Sequence, residues 1–235
     1  MKIALFGYGK MGKTIERIAK ERGHEIVLRI EKKSPTYELT ITDIAIDFST
    51  PTVAFDNIIT CFKNNVPIVS GTTGWLENFD KAVTNCHQQN GAFIYASNFS
   101  LGVNLFFELN SKLAKLMRNF TDYTIEMEEI HHSQKLDAPS GTAITLAETI
   151  IENSDKKKWC LNVTNNINEI PIIAKRVENV PGIHKVGYVS DLDQIEIKHT
   201  AHSRDGFALG AVIAAEWLLE KKGVYTMKDV LGLTS

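Results

Sequence analysis

The strongest constraint on the fold lies at the start of the chain. Four apolar residues, Ile3 to Phe6, follow Lys2 and run directly into Gly7-Tyr8-Gly9-Lys10-Met11-Gly12. Met11, Ile15, Ile18 and Ala19 then recur at helical spacing until Gly23, a natural helix stop. A buried strand, a glycine triplet and a helix in immediate succession have few uses. The glycines permit a tight turn, close approach of backbone to a pyrophosphate, and close contact between helix and strand. The helix start adds free N–H groups and a positive dipole end. A second strand is expected over 24–30, with an acid about 20 positions beyond the glycines to meet a ribose. Glu31 stands there. Gly7, Gly9, Lys10, Met11, Gly12, Glu31 and Lys32 are therefore the expected dinucleotide contacts. A carboxylate at 31 repels a 2′-phosphate and favours NADH, whereas Lys10, Lys32 and Lys33 offset that repulsion. The choice between NADH and NADPH stays open.

Strand and helix continue to alternate. Strands are expected over 44–48, 67–70 and 92–96, and helices over 51–65, 77–90 and 102–118. The segment 32–42 is too short and polar for a full crossover helix. This alternation predicts right-handed βαβ units in an open parallel sheet, a Rossmann-like domain. In such sheets ligands lie at the carboxyl ends of the strands. Ser49-Thr50-Pro51, Gly71-Thr72-Thr73 and Ser97-Asn98-Phe99-Ser100 occupy that edge. Small and hydroxyl residues there suit a nicotinamide ribose, although Ser and Thr also cap helices. Beyond about residue 120 the pattern changes. Strands over 123–130, 160–164, 171–177, 184–189 and 193–200, with a helix over 141–153, predict a second α+β domain on a mixed or antiparallel sheet. A last helix over 208–222 is apolar enough to return to the first domain. The expected boundaries are 1–101 with 208–235 for the dinucleotide domain and 102–207 for the other.

Composition narrows the function classes. Of 235 residues, 43% are hydrophobic and 23% charged, which is globular and not disordered. A net charge of −2 gives no basic field for nucleic acid. Cys61, Cys86 and Cys160 are odd in number and widely spaced, and read as free thiols of a reducing compartment. No apolar run approaches membrane-spanning length, and the first residues lead straight into a strand. A cytoplasmic protein is expected.

The densest polar constellation is Glu128-Glu129-Ile130-His131-His132-Ser133-Gln134-Lys135-Leu136-Asp137-Ala138-Pro139-Ser140-Gly141-Thr142-Ala143. Tandem histidines cannot face the same way on a strand, so one points to a site and the other to structure. His131 and Lys135 are placed to donate a proton to an atom made basic by hydride addition. Histidine titrates in the right range for that work. Ser140, Gly141 and Thr142 begin a helix and offer N–H groups and hydroxyls to a carboxylate. The histidine–lysine–aspartate spacing fits no common zinc pattern, and no metal is expected. Arg176 and His184 stay open between the substrate sheet and ordinary core or surface roles. Trp75, Trp159 and Trp217 read as core residues.

This segment resembles the signature of the 4-hydroxy-tetrahydrodipicolinate reductase (dihydrodipicolinate reductase) family of diaminopimelate and lysine biosynthesis. The family pattern runs from Glu129 through His131-His132 and Lys135 to Asp137-Ala138-Pro139-Ser140-Gly141-Thr142-Ala143. The likeness extends to Asp47-Phe48-Ser49, Gly71 to Gly74, Asn98 to Asn104, and Ser203 to Ala211. It implies His131 as proton donor and acceptor and Lys135 as a second acid. It implies His132, Ser140, Gly141 and Thr142 as holders of the substrate carboxylates. Gly71, Thr72, Thr73, Ser97, Asn98, Phe99 and Ser100 would contact the cofactor, NADH or NADPH. It also implies a small cyclic dicarboxylate substrate and a homotetramer joined through the second domain's sheet. The short glycine loop with Lys10, and the compressed region between Glu31 and Ile44, depart from the family pattern. They bear on the 2′-phosphate preference and not on the reaction.

Two other readings share the first domain. Another two-domain amino-acid pathway dehydrogenase would not require the 131–142 pattern. A non-catalytic nicotinamide-sensing protein would need no proton donor.

Overall fold

A computed structural model describes residues 1–31 and 37–233. The chain divides into two compact units, Met1–Asn104 with Arg204–Ser235, and Leu105–Ser203.

The first unit follows from apolar strands too hydrophobic to leave either face wet. It holds β1 (Lys2–Phe6), α1 (Lys10–Glu21), β2 (Glu25–Ile30), β3 (Ile44–Asp47), α2 (Pro51–Lys63) and β4 (Ile68–Ser70). After a single 3-10 turn at Leu76–Asn78 come α3 (Phe79–Gln88), β5 (Ala92–Tyr95) and the start of α4 (Leu101–Met117). In β1, Ile3 and Leu5 join one buried cluster with Ile15 and Ile18 of α1. Ala4 and Phe6 join the other, with Ile58 and Phe62 of α2. The same two-residue alternation splits Ile44 and Ile46 from Ala45, and Ala92 and Ile94 from Phe93. A parallel sheet covered by helices on both faces is the outcome.

Among the described residues six strands pair in parallel in the order β11-β5-β4-β3-β1-β2. The sixth, β11 (Gly223–Tyr225), lies beyond α6 (Asp205–Leu218) and before α7 (Met227–Val230). Helix α6 thus begins and ends about a turn earlier than the expected last helix over 208–222, and the short α7 follows it. The three residues of β11 are too few to show an alternation, and their pairing with β5 is purely tertiary. The chain runs outward from β1 to β2, then back across to β3 and on. Strand order therefore reverses between β1 and β3, where ligand crevices form in such sheets.

The second unit contains β6 (Thr124–His131), α5 (Gly141–Glu152), β7 (Lys158–Leu161), β8 (Glu169–Arg176), β9 (Gly182–Val189) and β10 (Gln194–Ala201). The sheet is mixed, in the order β10-β9-β6-β8-β7. The pairs β10–β9 and β9–β6 are antiparallel, and β6–β8 and β8–β7 are parallel. The expected strand over 160–164 starts earlier, at Lys158, and stops at Leu161 because Asn162 turns to φ +67°. One sheet face packs Ile125, Met127, Ile172 and Val186 against Phe106 and Ala114 of α4 and Leu146 and Ile150 of α5. The opposite face carries a ladder of ion pairs, Lys175 with Glu128 and Lys185 with Glu196. Among the described residues no helix is long and apolar enough to cross a membrane.

Candidate active site

The glycine loop sits at the reversal of strand order. Gly7 adopts φ +87°, and a Cβ there would lie 2.2 Å from the Phe48 carbonyl oxygen after β3. A Cβ on Gly12 would lie 2.3 Å from the Gly7 carbonyl oxygen. Both glycines are required by the protein's own close approaches. Gly9 differs, because a Cβ there would meet nothing within 4 Å. It caps α1 without a side-chain hydrogen bond, and the first helical turn has no acid. The bare helix start and open Gly9 backbone fit a dinucleotide pyrophosphate. Lys10 is exposed, and Met11 packs partly on the core. Gly7 N–H donates to the Ile30 carbonyl at 2.8 Å, which fixes the end of β2 beside the loop. Glu31 follows directly and is exposed. Lys32, the remaining expected contact of this loop, lies outside the described residues, as does Lys33.

Tyr8, between the first two glycines, is tied down. Its hydroxyl donates to Glu16, which also receives both Arg29 donors, Nε at 2.8 Å and Nη2 at 2.5 Å. The Arg29 guanidinium holds the Glu16 carboxyl far below the usual carboxylate range, against the opposing effect of burial. Arg29, two positions before Glu31, is thus already committed to a carboxylate.

The loops after β3 and β4 are organised by Asp47, fully buried at the end of β3. Its Oδ1 accepts from Ser49 Oγ at 2.6 Å and Asn57 Nδ2 at 3.0 Å, and its Oδ2 from Ser70 Oγ at 2.9 Å and Thr72 Oγ1 at 2.7 Å. Burial raises its pKa despite these four donors. Thr72 Oγ1 in turn accepts from Ser49 N–H at 2.9 Å, clamping the two loops together. Gly71 leaves room for the Phe48 ring, which would lie 2.3 Å from a Cβ. Thr73 and Ser97 are exposed. Asn98 Oδ1 accepts from Ser100 N–H at 2.9 Å, and Ser100 Oγ from Val103 N–H at 3.3 Å. The Phe99 ring is buried against Phe48, with centroids 5.8 Å apart. The side chains of Thr72, Phe99 and Ser100 are therefore occupied by the protein itself, whereas Thr73 and Ser97 are exposed.

In the second unit, β6 alternates so that Ile125, Met127, Glu129 and His131 face inward. The first pair joins the core, and the second pair forms the polar end of the same face. His131 Nδ1 lies 2.5 Å from Glu129 Oε2. That close approach falls outside well-aligned hydrogen-bond geometry, and neither atom has another hydrogen-bond partner. Glu129 is fully buried, and its other oxygen receives Arg176 Nη2 at 3.1 Å. Burial would raise its pKa, but His131, Ser140 and Arg176 together bring it down to about 2. The His184 ring stands edge-on to His131, with centroids 5.0 Å apart. Burial pushes His184 down to about 3. Its Nε2 lies 3.0 Å from Ser140 Oγ, which also caps α5 by accepting from Ala143 N–H at 3.2 Å. Ligating atoms of Glu129, His131 and His184 lie within 4.8 Å of one another. Glu129 Oε1 already accepts from Arg176, and Ser140 engages His184.

Lys135 lies on the loop after β6, its Nζ 2.7 Å from Asp137. The Ala138–Pro139 peptide in the same loop is cis. His132 is half-buried, with an unpartnered Nδ1. Gly141 opens α5, and a Cβ there would meet nothing within 4 Å. Thr142 is half-buried. The histidine end of the segment, Glu129 and Ser140 thus gather around His131. Sequence reasoning left Glu129 and Asp47 without roles and Arg176 and His184 undecided. Glu129 had a signal, since it lies two residues before His131 on one strand face. Arg176 had none, because parallel pairing of β6 and β8 brings it to His131.

A Rossmann-type unit with a bare helix start, and a second unit with a buried carboxylate–histidine pair, define a nicotinamide-dependent reductase. The model of the N-terminal part of dihydrodipicolinate reductase matches residues 1–99, and that of the C-terminal part matches residues 102–231. The 4-hydroxy-tetrahydrodipicolinate reductase of Christiangramia forsetii is 59% identical over 234 residues, covering 98% of both chains. That of Thermosipho africanus is 38% identical over 233 residues, again covering 98% of both. Among solved structures, the dipicolinate-bound dihydrodipicolinate reductase from Paenisporosarcina sp. TG-14 superposes with a TM-score of 0.79. It shares 25% identity and covers 96% of this chain and 97% of that one. The chain belongs to the dihydrodipicolinate reductase family. This settles the choice among the three readings of the sequence in favour of the reductase.

Proposed function

We infer that the chain reduces 4-hydroxy-tetrahydrodipicolinate to tetrahydrodipicolinate, with loss of water, and that the groups around His131 supply the proton chemistry. The observation that carries this is the buried Glu129–His131 contact at the head of α5. Bound NADH or NADPH supplies a hydride. The residues that hold it are Gly7, Gly9, Lys10, Met11 and Gly12 at the phosphates and Glu31 at a ribose. Lys32 completes that set, and Gly71, Thr72, Thr73 and Ser97 to Ser100 line the nicotinamide side. Glu31 and the commitment of Arg29 to Glu16 both disfavour a 2′-phosphate, so NADH is the preferred partner.

Glu129 faces Nδ1 of His131, which leaves Nε2 as the pole that gives up a proton. The carboxylate stabilises the imidazolium before transfer and orients the ring. Lys135 is the second acid. The N–H groups of Gly141 and Thr142 at the open start of α5 hold one substrate carboxylate, with His132 and Ser140 beside them. Ser140 shares its hydroxyl with His184, so its contribution to substrate is through position more than charge. The first unit serves the dinucleotide and the second serves substrate. The charged face of the second sheet, left open by α4 and α5, supports assembly into a homotetramer. The composition and the three free thiols support a cytoplasmic setting.

The variant His131→Ala tests the assignment. General acid catalysis is worth about 10²–10⁴ in rate, so kcat should fall by that order while the Kd for NADH holds. A wild-type kcat in this variant rejects His131 as the donor.

A further inference from the structure

Arg176, the last residue of β8, is not part of the proton chemistry or of the carboxylate site. Four oxygen atoms nevertheless converge on its guanidinium. Nη2 donates to Glu129 Oε1 at 3.1 Å and to the Asp137 carbonyl at 2.6 Å. Nε donates to the Lys135 carbonyl at 3.3 Å, and Nη1 to the Lys175 carbonyl at 2.8 Å. The parallel register sets Arg176 opposite His131, and Val177 N–H donates to the His131 carbonyl at 2.8 Å. One side chain therefore grips the backbone that carries Lys135 and the carboxylate that touches His131. Within the loop, Lys135 N–H donates to the His132 carbonyl at 3.0 Å and Lys135 Nζ lies 2.7 Å from Asp137, but both contacts are internal to the loop. Ser133, Gln134, Leu136 and Asp137 are exposed, with Leu136 at 97%.

We propose that Arg176 is a positioning residue that fixes His131 and Lys135 relative to one another, through Glu129 on one side and the Lys135 and Asp137 carbonyls on the other. This rests on the reading of His131 and Lys135 as the acid groups. The task needs a guanidinium. Its planar fork presents five donors in fixed directions and spans four acceptors at once, whereas a lysine ammonium is a single point charge on a flexible stem. Without the fork the loop loses both carbonyl anchors. Glu129 also loses the partner that holds its second oxygen, and is free to rotate away from Nδ1.

The test compares Arg176→Ala, Arg176→Lys and His131→Ala in the full chain. Charge-assisted hydrogen bonds of this kind correspond to roughly a 10- to 100-fold effect on rate. Arg176→Ala should lose that much kcat with an unchanged Kd for NADH, and amide exchange over 132–137 should quicken. Added guanidinium ion should restore part of the turnover of Arg176→Ala and none of that of His131→Ala. Arg176→Lys should fold and remain impaired. Wild-type kcat in Arg176→Ala or in folded Arg176→Lys, with His131→Ala inactive, overturns the positioning role alone. So does a loss in Arg176→Ala that guanidinium leaves untouched. Wild-type kcat in His131→Ala overturns the underlying reading whatever Arg176 does.

Discussion

His184 shows how a single buried group sets a condition on the whole second unit. Its Nε2 meets Ser140, its ring lies against His131, and burial pushes it down to about 3 from an ordinary 6.5. Between these values the unfolded chain takes up a proton that the folded chain refuses. The stability linked to neutral His184 is therefore complete above about pH 6.5 and is lost progressively as pH falls toward 3. Glu129, brought down to about 2 from 4.5, acts in the same direction at lower pH, since protonating it costs its contacts to His131 and Arg176. Stability, and with it the thermal midpoint, should thus fall on acidification from about pH 7 to about pH 4, with His184 contributing on the order of 3 kcal/mol to the loss of stability. A His184→Gln variant should flatten the upper part of that profile. An unchanged pH dependence in this variant would show that His184 does not titrate as its burial demands.

At the scale of elements, the strand–loop–helix at the N-terminus separates two duties of glycine. Gly12 is a packing glycine, for its Cβ would strike the Gly7 carbonyl oxygen at 2.3 Å. Gly9 differs, for a Cβ there would meet nothing within 4 Å, and on the proposed reading that open space admits the phosphates. Gly12→Ala should therefore cost about 1–3 kcal/mol of stability through overpacking and lower the thermal midpoint accordingly. Gly9→Ala should leave the midpoint alone and weaken NADH binding, as read by titration. The reverse pattern would mean that the phosphates do not approach at Gly9. This element was legible in the sequence because each step has a local cause: apolar residues, then glycines, then helical periodicity. The inner strands β3, β4 and β5 were legible for the same reason, since a strand buried on both faces reads as a continuous apolar run, and the edge strand β2 by its apolar centre between Glu25 and Arg29. β11 was not legible, with three residues and a partner at β5 far back in the chain. The alternation of β6 placed Glu129 and His131 on one face, yet gave no hint that β8 would run parallel to it. The Asp47 cradle was hidden likewise. Ser49 and Asn57 lie near it in sequence, but Ser70 and Thr72 reach it only once β3 and β4 pair.

For the whole molecule, the division of labour follows from two separate cores. One sheet is covered on both faces and reverses its strand order beside a glycine loop. The other is covered on one face and ends β6 in a carboxylate–histidine pair. Neither the loop nor the pair specifies the reaction alone. On the proposed reading the loop takes the dinucleotide, and the segment from Glu129 to Ala143 takes the substrate. The segment's chemistry was legible as residue types in order, whereas its geometry depends on Arg176 and His184, which arrive from β8 and β9. The central claim is therefore a joint one, that this chain couples a reduced nicotinamide to a cyclic dicarboxylate. The most direct measurement supplies the purified chain with freshly formed 4-hydroxy-tetrahydrodipicolinate and follows loss of NADH and of NADPH in separate reactions. Substrate-dependent oxidation is predicted with both, with the higher kcat/KM for NADH. No substrate-dependent oxidation of either cofactor would contradict the account.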